Sequence, residues 1–177
     1  MKHLQYWAAA FLAGLVATSQ PAYSQSNEIL ERIEGPVVNA HGTATELTQK
    51  AHLCMARLLR NQSADGSPSG LFLFSDDTTI IANSQIDYSH RMLRRSVKSK
   101  VTFEAREGRF RITHTEIGGK IHSTTGGLGF GASIDDGTSH SVIYKNFGTG
   151  WEEAQKQLQN LSGQIATCVS DQTGDDW

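Results

Sequence analysis

Sixteen residues in the middle of the chain, VTFEAREGRFRITHTE from Val101 to Glu116, restrict its fold more than any other stretch. Val101, Phe103 and Ala105 alternate with Thr102, Glu104 and Arg106. After Glu107-Gly108, Phe110 and Ile112 alternate with Arg109, Arg111 and Thr113. Period-two alternation marks a strand with one face in a core and the other in water. A Gly-containing two-residue step between two such runs predicts a β-hairpin. Pairing about that step sets Ala105 opposite Phe110, Phe103 opposite Ile112 and Val101 opposite His114 on one face. On the other face Arg106 meets Arg109, Glu104 meets Arg111 and Thr102 meets Thr113. A slip of one residue would mix the two sets, so the register is a sharp expectation.

A sheet with one apolar face needs a cover, and two helices are available for it. Thr43-Ala44-Thr45-Glu46 has the spacing of a capping box, with the Thr oxygen and the Glu carboxylate each accepting from a backbone N–H of the first turn. Leu47, Ala51, Cys54, Met55, Leu58 and Leu59 then recur at three- and four-residue steps, an apolar stripe on a helix over about 43–60. Thr149-Gly150-Trp151-Glu152 repeats the capping spacing. Trp151, Ala154, Leu158, Leu161, Ile165 and Cys168 or Val169 form a second stripe over about 150–169. The chain's two cysteines, Cys54 and Cys168, thus lie on core-facing stripes. Helices side by side on one face of the sheet would bring the sulfurs together.

The other segments are shorter. Val37-Val38 reads as a brief strand after Gly35-Pro36. Asn61 to Gly70, rich in Ser, Asp, Gly and Pro, reads as an exposed loop. Leu71 to Phe74 reads as a well-buried strand that forms a hairpin with Thr78 to Ala82. Asn83 to His90 is ambiguous, with Ile86 and Tyr88 spaced as in an edge strand. Ser141 to Phe147 offers one more strand. Residues 118–148 form a long Gly-rich connection of the kind that is often functional or disordered.

The N-terminus reads as an address. Lys2 and His3 precede an apolar run from Leu4 to Thr18, then Pro21 and the small-residue site Ala22-Tyr23-Ser24. This predicts a signal peptide over 1–24 cleaved after Ser24. The apolar run is short of the about 20 residues a membrane span needs. Residues 25–34 read as a polar leader, 35–170 as a single domain and 171–177 as a flexible tail. Beyond Ser24 lie 15 Lys and Arg against 18 Asp and Glu, a formal net of −3, which argues against nucleic acid as a partner. In an oxidising compartment, two Cys imply one disulfide. Closing so long a loop is worth at most about 4–5 kcal/mol in the chain-entropy picture.

No familiar catalytic signature appears. The run Gly126-Gly127-Leu128-Gly129-Phe130-Gly131 lacks the strand–helix context and Lys-Ser/Thr of a phosphate loop. The histidines show no metal-binding spacing, although His114, His122 and Asp135 or Asp136 have the chemistry for a site if they converge. No G-x-S-x-G elbow occurs. Asp76-Asp77 and Asp135-Asp136 read as turns. No catalytic, metal or cofactor residue is therefore assigned. The remaining candidate is the hairpin's outer face with the basic run before it. Lys98, Lys100, Arg106, Arg109 and Arg111 share it, relieved only by Glu104. An ordinary solvated face is the plain alternative to a docking surface for an acidic protein.

Glu46-Leu47 opening the first helix, Phe72 and Phe74 before Asp76, Gly108-Arg109-Phe110-Arg111 and the helix from Trp151 together resemble a bacterial domain-of-unknown-function family with a TATA-box-binding-protein-like (TBP-like) fold. The resemblance spans roughly Gly35 to Val169. It implies an α+β domain, a curved antiparallel sheet with two helices on one face, and it brings no catalytic residues. The expectation is a non-enzymatic, exported protein-binding domain of the periplasm or the medium, of inhibitor or immunity type. A small metal- or His/Asp-dependent hydrolase and a structural envelope component are the alternatives.

Overall fold

Two long strands meet at Glu107-Gly108 in the computed structural model, which describes residues 28–60, 71–122, 140–145 and 150–171. The elements in chain order are β1 (Arg32–Glu34), β2 (Val38–Asn39), α1 (Ala44–Arg60), β3 (Phe72–Ser75), β4 (Thr79–His90), β5 (Leu93–Arg106), β6 (Arg109–His122), β7 (Ser141–Val142) and α2 (Trp151–Asp171). Outside the described residues lie the segments read from the sequence as a signal peptide (1–24), as a loop (61–70) and as a tail (beyond Asp171), together with the glycine cluster, Asp135, Asp136 and Thr149 of the second capping spacing.

The β5–β6 register is the expected one, from Arg106↔Arg109 and Ala105↔Phe110 through Phe103↔Ile112 to Val101↔His114. Gly108 takes φ 68°, a left-handed turn position that glycine occupies without steric cost. β5 and β6 form the middle of an antiparallel sheet ordered β1-β6-β5-β4-β3, with β2 and β7 also on β6. Between Lys98↔Gly118 and Lys100↔Thr115, β6 carries Glu116 and Ile117 against the single Ser99 of β5. Glu116 holds φ 50° at this bulge. The extra residue re-phases β6, so that His114 before it and Gly119 after it, although of opposite parity, both face the core.

α1 and α2 cover the face that carries Val97, Val101, Phe103, Phe110 and Ile112. Leu47, Ala51, Met55 and Leu59 of α1, with Ala154, Leu158, Leu161 and Ile165 of α2, complete the core. The Phe103 and Phe110 rings stack at 5.0 Å. Thr43 and Glu46 close the capping box, with the Thr43 N–H donating to Glu46 Oε2 at 2.8 Å and the Glu46 N–H to Thr43 Oγ1 at 3.3 Å. The Thr43 backbone N–H, then its side chain, bonds the Glu46 carboxylate and holds it below its ordinary pKa. Cys54 and Cys168 form the expected disulfide, with Cα atoms 6.0 Å apart. Among the described residues no helix is long and apolar enough to cross a membrane.

Three expectations change. β3 is the sheet edge, and Leu73 and Phe74 are each 49% exposed rather than well buried, while Phe72 packs against the core and stacks on His52 of α1 at 4.2 Å. Asn83–His90, ambiguous in the sequence, is the second half of β4; it pairs along its length with β5, and since β3 pairs only with Ile80–Ala82 it is an edge there among the described residues, as the spacing of Ile86 and Tyr88 suggests. The 118–148 segment opens as strand to His122, and of the expected strand Ser141–Phe147 the described residues form β7 at Ser141–Val142 and a single bridge from Tyr144 to Ile29. Finally, within the expected 25–34 leader the described residues 28–34 belong to the fold. Leu30 and Ile33 are in the core, β1 pairs with β6, and the Leu30 N–H donates to the Ile143 carbonyl at 2.8 Å. The free edge of β6 needs a partner, and this segment supplies it.

Candidate binding face of the sheet

Alternation along β5 and β6 turns Lys98, Lys100, Arg106, Arg109 and Arg111 away from the helices, as the sequence predicts. At the hairpin end of this face lies a cleft of about 530 Å³. Arg106, Arg109 and Arg111 line it, together with Thr78, Thr79 and Glu104. The turn bearing the two threonines is fixed by Asp76, whose carboxylate accepts from the Thr78 and Thr79 N–H groups at 2.8 and 2.7 Å. These bonds hold the Asp76 carboxyl below its ordinary pKa. Asp76 is thus a turn residue, as its sequence context implies.

The face is less bare than the sequence implies. Arg111 lies 3.5 Å from Glu104 and 3.8 Å from Glu34 of β1, and Lys100 bonds Glu116 at 2.5 Å. Glu104 is therefore not the only relief; the β1 pairing and the bulge each bring a carboxylate. Such exposed pairs contribute about 0–1 kcal/mol each to stability. Their consequence is selection: Arg106, Arg109 and Lys98 form no ion pair among the described residues. Arg106 and Arg109 stand directly opposite one another, like charges lining the cleft.

At the other end of the same face, Ser96 is fully buried beneath two imidazoles. His122 Nε2 and His140 Nε2 each lie 3.1 Å from Ser96 Oγ. The single hydroxyl proton serves only one of them, so the other ring must donate. His140 reaches Ser96 by lying over β6, and Gly118 makes room: a Cβ there would sit 3.0 Å from His140 Cβ. On the opposite side a Cβ at Gly119 would sit 2.9 Å from Ile143 Cγ1. Burial, then Lys98, Lys120 and His122 nearby, push the His140 pKa down to about 4 against a smaller pull from Asp87. Asp87 itself bonds Arg94 at 2.6 Å. Sequence reading missed Ser96 and His140. The available signal was Gly118-Gly119 inside a strand, which marks a close approach by other chain.

His114 and His122 do not converge. His114 faces the core, where Nδ1 lies 2.9 Å from Ser99 Oγ and Nε2 2.8 Å from Ser162 Oγ of α2. Ser99 Oγ continues to Ser84 Oγ at 2.8 Å. Burial pushes the His114 pKa down to about 4, against a smaller opposing effect of the Leu158 backbone. The sheet separates this array from His122, and Asp135 and Asp136 lie outside the described residues. No three His, Cys, Asp or Glu side chains gather to hold a metal ion among the described residues.

No family model matches the chain, and no curated protein does either. Two crystal structures share its fold. A DUF4468 family protein from Bacteroides ovatus is 11% identical with a TM-score of 0.54, over 82% of this chain and 86% of that one. A TBP-like protein from Parabacteroides distasonis is 12% identical with a TM-score of 0.54, over 79% of this chain and 92% of that one. At such identities the likeness speaks for architecture alone. This chain has the TBP-like α+β fold, an antiparallel sheet with two helices on one face, as the sequence resemblance implies.

Proposed function

We propose that this chain is an exported, non-enzymatic binding protein whose helix-free sheet face receives an acidic protein, in the manner of an inhibitor or immunity-type protein of the cell envelope. One observation carries the reading. The cleft at the hairpin end is lined by arginines, and Arg106 and Arg109 there have no carboxylate among the described residues. Arginine presents a rigid fork of donors suited to carboxylates, and opposite charge speeds encounter and sets orientation. The Cys54–Cys168 disulfide agrees with an oxidising compartment.

The test is capture from envelope extract by the immobilised, oxidised chain. Specific capture is expected to be lost when Arg106→Glu and Arg109→Glu are combined. It is also expected to weaken with salt, because the screening length falls from about 10 Å at 0.1 M to about 3 Å at 1 M. Capture unaffected by the double reversal would refute the assignment.

A small hydrolase is the second reading, and the Ser162–His114 contact at 2.8 Å is what favours it. A general base works best with a pKa near the working pH. His114 and His140, both at about 4, are weak bases at neutral pH. The binding reading therefore stands first.

A further inference from the structure

The array Ser84–Ser99–His114–Ser162 ties three strands to α2 through the core. Its members come from β4, β5, β6 and α2, and His114 is fully buried. The groups facing His114 are uncharged on every side: Ser99 and Val101 from β5, Ile33 from β1, Leu158 and Ser162 from α2. The neutral ring is fully bonded by two hydroxyls. A protonated ring would find hydroxyls willing to accept but no carboxylate to offset its charge, and a buried unpaired cation is costly. Its α2 partner, Ser162, is only partly covered. The disulfide joins α1 to α2 and neither helix to the sheet.

We propose that His114 is an acid-sensitive lock between the sheet and the helical layer, and that protonating it releases α1 and α2 together, as one disulfide-linked unit. The sign follows from linkage. With a folded pKa of about 4 against 6.5 unfolded, the unfolded chain binds the extra proton in between. The ring's contribution is complete above about 6.5 and is lost as pH falls toward 4. Glu46 and Asp76, held below their ordinary carboxylate values, lose theirs as pH falls through the carboxylate range.

Hydrogen exchange of the oxidised chain from pH 7 to 4, corrected for intrinsic rates, tests this. Amides of α1 and α2 are expected to lose protection together while β5 and β6 keep theirs. His114→Gln preserves a neutral donor and acceptor and is expected to move the acid midpoint down by about one pH unit or more. His140→Gln removes the other depressed histidine, on the outer face; by the same linkage it steadies the whole fold toward acid, so it is expected to shift helix and sheet protection alike and to leave the helices opening first. If His114→Gln does not fold, titration of the His114 ring by NMR in the unaltered chain replaces it, and its midpoint must coincide with loss of helix protection. Simultaneous loss over sheet and helices, or an early helix opening that His140→Gln abolishes and His114→Gln does not, overturns the proposal.

Discussion

The two faces of the β5–β6 hairpin each carry serine hydroxyls shared with imidazole nitrogens, in opposite settings. On the core face His114 is enclosed by the helical layer, with hydroxyls at 2.8 and 2.9 Å and no charge facing it. On the outer face Ser96 lies beneath His122 and His140, with Lys98 and Lys120 close by. Both His114 and His140 have their pKa lowered to about 4 with burial as the first cause, but only His140 is also pushed down by neighbouring cations. The same contact is thus a structural tie on one face and part of a basic surface on the other. What differs is the layer above it.

Substitutions on the two faces should therefore separate stability from capture. The largest effect is expected for Phe103→Ala, which empties a fully buried site stacked on Phe110. A loss of about 3–5 kcal/mol in urea denaturation is predicted. A loss below about 1 kcal/mol would mean that the core face is not the stabilising one. Gly118→Ala should cost about 1 kcal/mol, because the new methyl meets His140 Cβ at 3.0 Å. It should also loosen His140 from Ser96, moving its NMR titration up toward the usual imidazole range. An unchanged titration would separate the glycine from the array. The smallest effect on stability is expected for Arg109→Glu. It replaces a like-charge cross-strand pair with an opposite one, so stability should rise by a few tenths of a kcal/mol, about 0.2–1 at most. A marked loss of stability instead would show that Arg109 supports the fold rather than a partner.

Much of this architecture was legible in the residues. Alternation about Glu107-Gly108 set the hairpin register pair by pair, since a slip would have turned Phe103, Phe110 and Ile112 to water. Thr43 and Glu46 announced α1, and the stripes of both helices placed Cys54 and Cys168 toward each other. The candidate site was legible as a set of cations but not as a surface. Which cations stay free depended on Glu34, brought beside Arg111 by β1, and on Glu116, turned toward Lys100 at the bulge.

By itself, then, the sequence determined whatever repeats within a turn of helix or a few residues of strand: the hairpin, the two capped amphipathic helices and the faces they bury. The tertiary structure decided what depends on partners far along the chain. It made β3 an edge, drew Leu30 and Ile33 into the core, re-phased β6 at Glu116, and brought His140 across Gly118 to Ser96, 44 residues away. The physical reason is range. Periodicity records which side of an element is apolar, whereas the charge left free on a face and the proton affinity of a histidine depend on the other strands and helices brought beside them.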